Sequence, residues 1–231
     1  MHAPYPVFVP GPGREQQNAY TMENVIPKSF LFAGFMEIPY MVIHPWKLQY
    51  HLGKEVETER NFEYFRSLID MARENDVVIC LENLYEGQAG RIVEGVCADP
   101  HDAAALIDRL NDAAGEERFG FCLDTGHMNL VGRDSYEMVT TLGHRLKILH
   151  IHDNDGIGDL HQMPFTFRTK GVADLGVDWD GFICGLRDIG FDGTLSFETF
   201  PCMNSFPTPM KEQALKTIAE IGAYIRGKVE G

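Results

Sequence analysis

The sequence lacks a CxxC pair, a lysine- or arginine-rich run, and any apolar stretch near the length of a membrane span. Each absence removes a class of protein. The five cysteines, Cys80, Cys97, Cys122, Cys184 and Cys202, are odd in number, and Cys80 and Cys122 sit inside apolar runs where a reduced thiol packs as a small hydrophobe. That argues against a disulfide framework. The sequence does not open with a basic segment followed by an apolar stretch, so a cytoplasmic, reduced protein without membrane contact is expected. With 34 acidic against 20 basic residues the net charge is −14, and the densest basic stretch, 226–228, holds only Arg226 and Lys228. Nucleic-acid binding needs a basic surface and is disfavoured. No Pro-, Gly- or Ser-rich linker and no low-complexity tract interrupts the 231 residues, so a single domain over 1–231 is expected.

What is present is alternation. Short apolar runs at 40–43, 77–81, 119–123, 146–151 and 193–197 have the length and β-branched or aromatic content of strands buried on both faces. Helix-like stretches lie between them. The segment 58–75 spaces Phe62, Phe65, Leu68, Ile69 and Ala72 at helical intervals. The segment 100–114 begins after the cap residue Asp99 with Pro in its first turn, and 209–226 repeats the apolar spacing with Ala214, Leu215, Ile218, Ile221 and Ile225. Strands alternating with helices imply a parallel sheet with right-handed crossovers, an α/β fold of the (β/α) TIM-barrel type.

The strands end in residues that bind metals or move protons. They are His44, Glu82, Asp124 with His127 three residues on, His150 and His152, and Glu198. One polar residue after a strand is commonly a loop residue or cap. Five in register argue for a shared site, because the C-terminal strand ends of a parallel barrel converge on one mouth. Carboxylates mixed with imidazoles suit Mn²⁺, Zn²⁺, Co²⁺ or Fe²⁺ better than Ca²⁺. His150 is expected to point away from His152, between strand and helix layers, and His51, His101 and His144 to be surface or capping residues. Trp46 either walls the substrate or packs against a helix. The segments 85–98 and 153–178 are read as loops short of basic residues, and 167–170, with Arg168 and Lys170, would suit a sugar phosphate.

The segments Leu81-Glu-Asn, Leu123-Asp-Thr-Gly-His-Met-Asn, His150-Ile-His-Asp-Asn-Asp-Gly and Ser196-Phe-Glu-Thr resemble the xylose-isomerase-like barrel superfamily, over nearly the whole chain. Its members include sugar and sugar-phosphate isomerases, ketose 3-epimerases and apurinic-site endonucleases. By position the resemblance implies a single-metal site of Glu82, Asp124, His152 and Glu198, with the two glutamates also serving as the acid/base pair. It implies that His127 contacts a substrate oxygen. His2, His44, Asp159 and His161 match further zinc ligands of the endonuclease branch, and would serve here as substrate ligands or a second metal site. The resemblance also implies that His-Ala-Pro-Tyr at the start ends a third strand. Six strands are then recognisable and the first two βα units are lacking, a gap that a second subunit, residues 7–35 or a longer gene product would account for.

The implied function is a metal-dependent isomerase or epimerase of a sugar or sugar phosphate, acting by proton transfer through an enediolate. One divalent ion, Mn, Zn, Co or Mg, is expected, with a second or third Zn as the extended case, in a homo-oligomer that contacts neither membrane nor nucleic acid. Two departures keep the substrate open: the stretch 153–158 lacks the arginine that ketose 3-epimerases carry there, and Glu86 lies closer to Glu82 than their second glutamate does. The alternatives are a zinc-dependent phosphodiesterase of the apurinic-endonuclease type and a non-catalytic degenerate barrel.

Overall fold

The computed structural model describes residues 1–168 and 175–231. In chain order the elements begin with α1 (Glu15–Tyr20), a π-helical turn (Thr21–Val25), α2 (Ile26–Phe35), β1 (Tyr40–Ile43), α3 (Lys54–Arg66), α4 (Ile69–Glu74) and β2 (Val78–Glu82). Next come β3 (Tyr85–Gln88), β4 (Arg91–Glu94), α5 (Pro100–Ala114), β5 (Phe119–Asp124), α6 (Thr125–Leu130) and α7 (Ser135–Leu142). The chain closes with β6 (Leu146–His150), α8 (Trp179–Asp188), α9 (Phe200–Ser205) and α10 (Lys211–Glu230). These residues form two compact units that interleave in sequence: Met1–Leu84 with Gly95–Cys122, and Tyr85–Glu94 with Leu123–Gly231.

The first unit holds parallel strands in the order β1-β2-β5, with Ile43 opposite Leu81 and Leu81 opposite Phe121. Met41, Ile43, Ile79, Leu81 and Phe121 are fully buried. Burying each such side chain stabilises the fold by about 1.5–3 kcal/mol. Helix α5 starts where Asp99 accepts the N–H groups of His101 and Asp102 at 2.9 and 3.2 Å, and it buries Ala103, Leu106, Ile107 and Leu110 along one face. The expected helix over 58–75 is instead two helices beginning at Lys54, parted at Ser67, whose hydroxyl donates to the Tyr64 carbonyl at 2.6 Å.

In the second unit lie the end of β5 and, next in the sheet order, β6. Trp179, Phe182, Leu186, Val139, Leu149 and Ile151 form its core. Helices α6, α7 and α8, which the apolar pattern did not separate from loops, are each capped by an aspartate: Asp124, Asp134 and Asp178. Part of 85–98, expected as loop, is an antiparallel hairpin of β3 and β4. Its turn places Ala89 and Gly90 at φ 48° and 77°, the left-handed geometry of a two-residue hairpin turn, here without the Asn-Gly that usually signals it.

Parallel strands alternating with helices are the unit of the TIM-type α/β barrel. Two of the six expected strands are reduced to isolated pairings. At the N-terminus only His2 bridges Val42, since Pro4 and Pro6 have no N–H to extend the ladder. In the segment 193–197 only Thr194 and Phe197 pair, with Ile148 and Ile151. Among the described residues no helix is long and apolar enough to cross a membrane.

Candidate metal centre

Register builds the histidine–glutamate set of the first unit. Because Ile43 lies opposite Leu81, the next residues, His44 and Glu82, reach the strand ends at one level. The bridge from His2 to Val42 brings a third group to the same edge. His2 Nε2 and His44 Nε2 lie 3.4 and 3.1 Å from Glu82 Oε2, and 3.2 Å from each other. His2 Nδ1 donates to the Ala3 carbonyl at 2.6 Å, which leaves its Nε2 as the lone-pair nitrogen of the neutral ring. Glu82 is 1% exposed. Trp46 is stacked on Phe8 and Tyr64 at 4.4 and 4.6 Å, so its ring surface is spent on packing.

The second unit uses the same device once and then adds a loop. Ile151 pairs with Phe197 in parallel, which sets the following residues, His152 and Glu198, level with each other. The pairing is closed by Ile151 N–H to Ser196 O at 2.8 Å and Glu198 N–H to Ile151 O at 3.1 Å. Thr125 fixes the backbone of His152 from the other side, donating to its carbonyl at 2.7 Å and accepting its N–H at 3.0 Å. Asp124 caps α6 through the His127 N–H at 2.7 Å, while its two oxygens lie 3.0 and 3.1 Å from His152 Nε2. Gly126 is required here: a Cβ would fall 1.9 Å from His152 Cε1.

Asp159 and His161 come from the loop after β6. Asp159 Oδ2 lies 3.5 Å from His127 Nε2 and 3.3 Å from His161 Nε2. Burial pushes the Asp159 carboxyl up, but the hydrogen bonds from His127 and His161 outweigh it and hold the group well below the usual carboxylate range. Burial pulls the His161 imidazole down, while the bond to Asp159, that carboxylate's charge and the Glu198 carbonyl raise it to about 9. The His161 ring stacks on His152 at 3.9 Å, and its Nδ1 donates to the Glu198 carbonyl at 2.8 Å. Tyr85, on the hairpin, meets His127 edge-on at 5.1 Å, and burial together with Asp159 raises its hydroxyl.

His150 corrects the sequence expectation. Residues two apart on a strand share a face, so His150 cannot point away from His152 by alternation. Its Nδ1 lies 3.3 Å from Glu198 Oε2. His51, His101 and His144 are exposed. Arg168 is paired with exposed Asp180 at 2.5 Å, and Lys170 lies outside the described residues. Sequence reasoning did not single out Thr125, Tyr85 or Asn154, although Thr125 and Asn154 stand inside the most distinctive segments. Asn154 is fully buried and donates to the Gly126 carbonyl at 2.9 Å, tying the loop to α6.

The donor chemistry fits a divalent transition ion. One ligand atom each of His152, His161 and Glu198 lies within 4.8 Å of the others, and the same holds for Asp124, His150 and Glu198. An ion bound at about 2.0–2.2 Å gathers its donors on a comparable scale. His152 supplies a sharper sign. Its Nε2 stands 3.0 and 3.1 Å from the two Asp124 oxygens, and its buried Nδ1 has no hydrogen-bond partner among the described residues.

Residues 1–221 match the family described as the xylose isomerase-like TIM barrel. The inosose isomerase of Bacillus subtilis is 25% identical over 177 residues, covering 73% of this chain and 59% of that protein. The chain spans 38% and 59% of two curated relatives it matches, less than two thirds of either. Among solved structures, the IOLI protein with a bound zinc atom superposes with TM-score 0.73 at 20% identity, over 94% of this chain and 73% of that one. A D-tagatose 3-epimerase-like protein superposes with TM-score 0.67 at 20% identity, over 96% and 77%. At that identity the structural likeness speaks for the fold.

Proposed function

Because the chain belongs to the xylose isomerase-like TIM-barrel family, we propose that it is a metal-dependent isomerase or epimerase of a sugar or sugar-like hydroxy-carbonyl compound. One observation carries this reading: ligand atoms of His152, His161 and Glu198 lie within 4.8 Å of one another, and the buried Nδ1 of His152 has no hydrogen-bond partner among the described residues. The ligands assigned to one divalent ion, Mn, Zn, Co or Mg, are Asp124, His152, Glu198 and Glu82. When bound, the ion supplies Lewis acidity to the substrate carbonyl. Glu198, with its side chain 30% exposed, is open to substrate and takes the proton from the carbon next to the carbonyl. Glu82 is assigned the complementary proton transfer. His127 and His161 hold substrate oxygens, and Asp159 fixes the orientation of both rings. The inosose isomerase relative favours a polyhydroxylated ketone as the substrate class.

The test is proton exchange in D₂O with a panel of ketoses and inososes in the presence of Mn²⁺. Wild type should wash deuterium into the carbon next to the carbonyl, and Glu198→Gln and Glu82→Gln should each slow it by roughly 10²–10⁴-fold. Exchange at the wild-type rate in both variants removes the acid/base assignment.

A second reading draws on Asp159, whose Oδ2 lies 3.5 Å from His127 Nε2 and 3.3 Å from His161 Nε2, a carboxylate flanked by two imidazoles. Loaded with additional zinc, that set would suit phosphodiester hydrolysis. Elemental analysis separates the two, because one ion per chain fits the isomerase and three zincs fit the phosphodiesterase. A homo-oligomer belongs to the primary reading, supported by Leu31, Phe32 and Phe35 on α2, which are 64%, 53% and 84% exposed. A monodisperse monomer by light scattering would remove it.

A further inference from the structure

Asp153 takes no part in the proposed chemistry, yet its carboxylate is completely buried. Its Oδ1 accepts the N–H groups of Asn154 at 3.0 Å and Val177 at 3.1 Å. Its Oδ2 accepts the Phe167 N–H at 3.4 Å and the Trp179 indole N–H at 3.2 Å. The Asp153 backbone pairs in both directions with Gln162, at 2.8 and 2.9 Å. The beginning, the middle and the end of the connection between β6 and α8 therefore meet on one side chain.

Two details make a carboxylate the residue that suits this place. Four donors share two oxygens, and an amide offers only one acceptor oxygen and would turn an NH₂ group against two N–H groups. Space is also tight: a Cβ on Gly176 would come within 3.0 Å of both Asp153 Oδ1 and Phe167 Cβ. Asp159 and His161 lie inside the span that Asp153 closes with Gln162. His161 directly precedes Gln162 and holds a φ of 47°, a left-handed conformation that a non-glycine residue keeps only when its surroundings fix it.

We propose that Asp153 is a positioning residue that sets where Asp159 and His161 stand relative to His127 and His152, and so tunes how the site holds its metal. The proposal rests on the metal-site reading above. The experiment compares full-length wild type, Asp153→Asn and Trp179→Phe by Co²⁺ absorbance titration and by amide hydrogen exchange over the peptides containing His161, Phe167 and Val177.

Asp153→Asn should weaken Co²⁺ binding by roughly 10–100-fold, alter the cobalt visible spectrum, and speed exchange in all three peptides. Trp179→Phe removes one donor and should give smaller changes in the same direction. A folded Asp153→Asn protein with the wild-type cobalt spectrum, affinity and exchange overturns the proposal. If Asp153→Asn does not fold, Trp179→Phe decides alone, and wild-type behaviour in it overturns the proposal. If wild type itself takes up no cobalt, the metal reading fails, and the exchange rates then decide whether Asp153 positions the loop.

Discussion

The two units assemble their polar clusters by different means. In the first, His2, His44 and Glu82 stand directly on strand ends or on a bridge to one, and pairing register alone brings them within 3.4 Å. In the second, His152 and Glu198 use register in the same way and Asp124 ends β5, but Asp159 and His161 reach their partners from a loop held by Asp153, Asn154 and a strained backbone. The contrast teaches that register positions a side chain at no extra cost beyond forming the sheet. A loop residue needs buried polar anchors to reach the same precision, and these are expensive to leave unpaired.

The largest effect should come from the tightest contact. Gly126→Ala places a methyl group in the His152 ring, so metal affinity measured by competition with a chelating dye should fall by roughly 100-fold. Wild-type affinity would mean that His152 does not bind the ion as placed. A smaller effect is expected from His161→Ala, a loop residue, than from His152→Ala, a register residue, when both are scored by metal stoichiometry and by exchange in D₂O. Equal losses would erase the distinction between the two ways of building the site.

pH sharpens the comparison further. His161 has its folded pKa raised to about 9 from 6.5, so its contribution to stability is fully present below about 6.5 and is lost as pH rises through about 9. Asp159, held low, contributes above the ordinary carboxylate range and loses that contribution in acid. Denaturant midpoints of the metal-free protein should therefore decline between pH 6.5 and 9, and His161→Asn should flatten that slope.

Two smaller effects belong to the first unit. Asp99→Ala removes both cap bonds of α5 and should cost about 1 kcal/mol in urea unfolding, without altering metal uptake. Cys97, pushed up to about 12 by burial with help from Glu57 and Asp102, should resist iodoacetamide at pH 8 in the folded protein. Rapid labelling there would show that this part of the unit opens readily.

What could be read from sequence follows the same division. The strand-borne residues His44, Glu82, Asp124, His152 and Glu198 were legible because a buried parallel strand is a short apolar run with a fixed end. Helix α5 was legible because Asp99 and Pro100 mark its start and Gly115 its end. Short capped helices such as α6 carry too few turns for periodicity to show. The β3–β4 hairpin hid behind an Ala-Gly turn. The anchoring role of Asp153 depends on Phe167, Val177 and Trp179, up to 26 residues away, and no local pattern announces it. His150 was misplaced by an error of alternation that the strand's own geometry corrects.

The interleaving of the two units bears on how the chain can be divided. The hairpin Tyr85–Glu94 belongs with residues beyond Leu123, although sequence from the other unit flanks it on both sides. A product truncated after Cys122 would carry that ribbon without helix α6, against which it packs, and would cut β5 two residues before its end. No single cut in the chain separates the two units, because each is built from two sequence segments that alternate with those of the other.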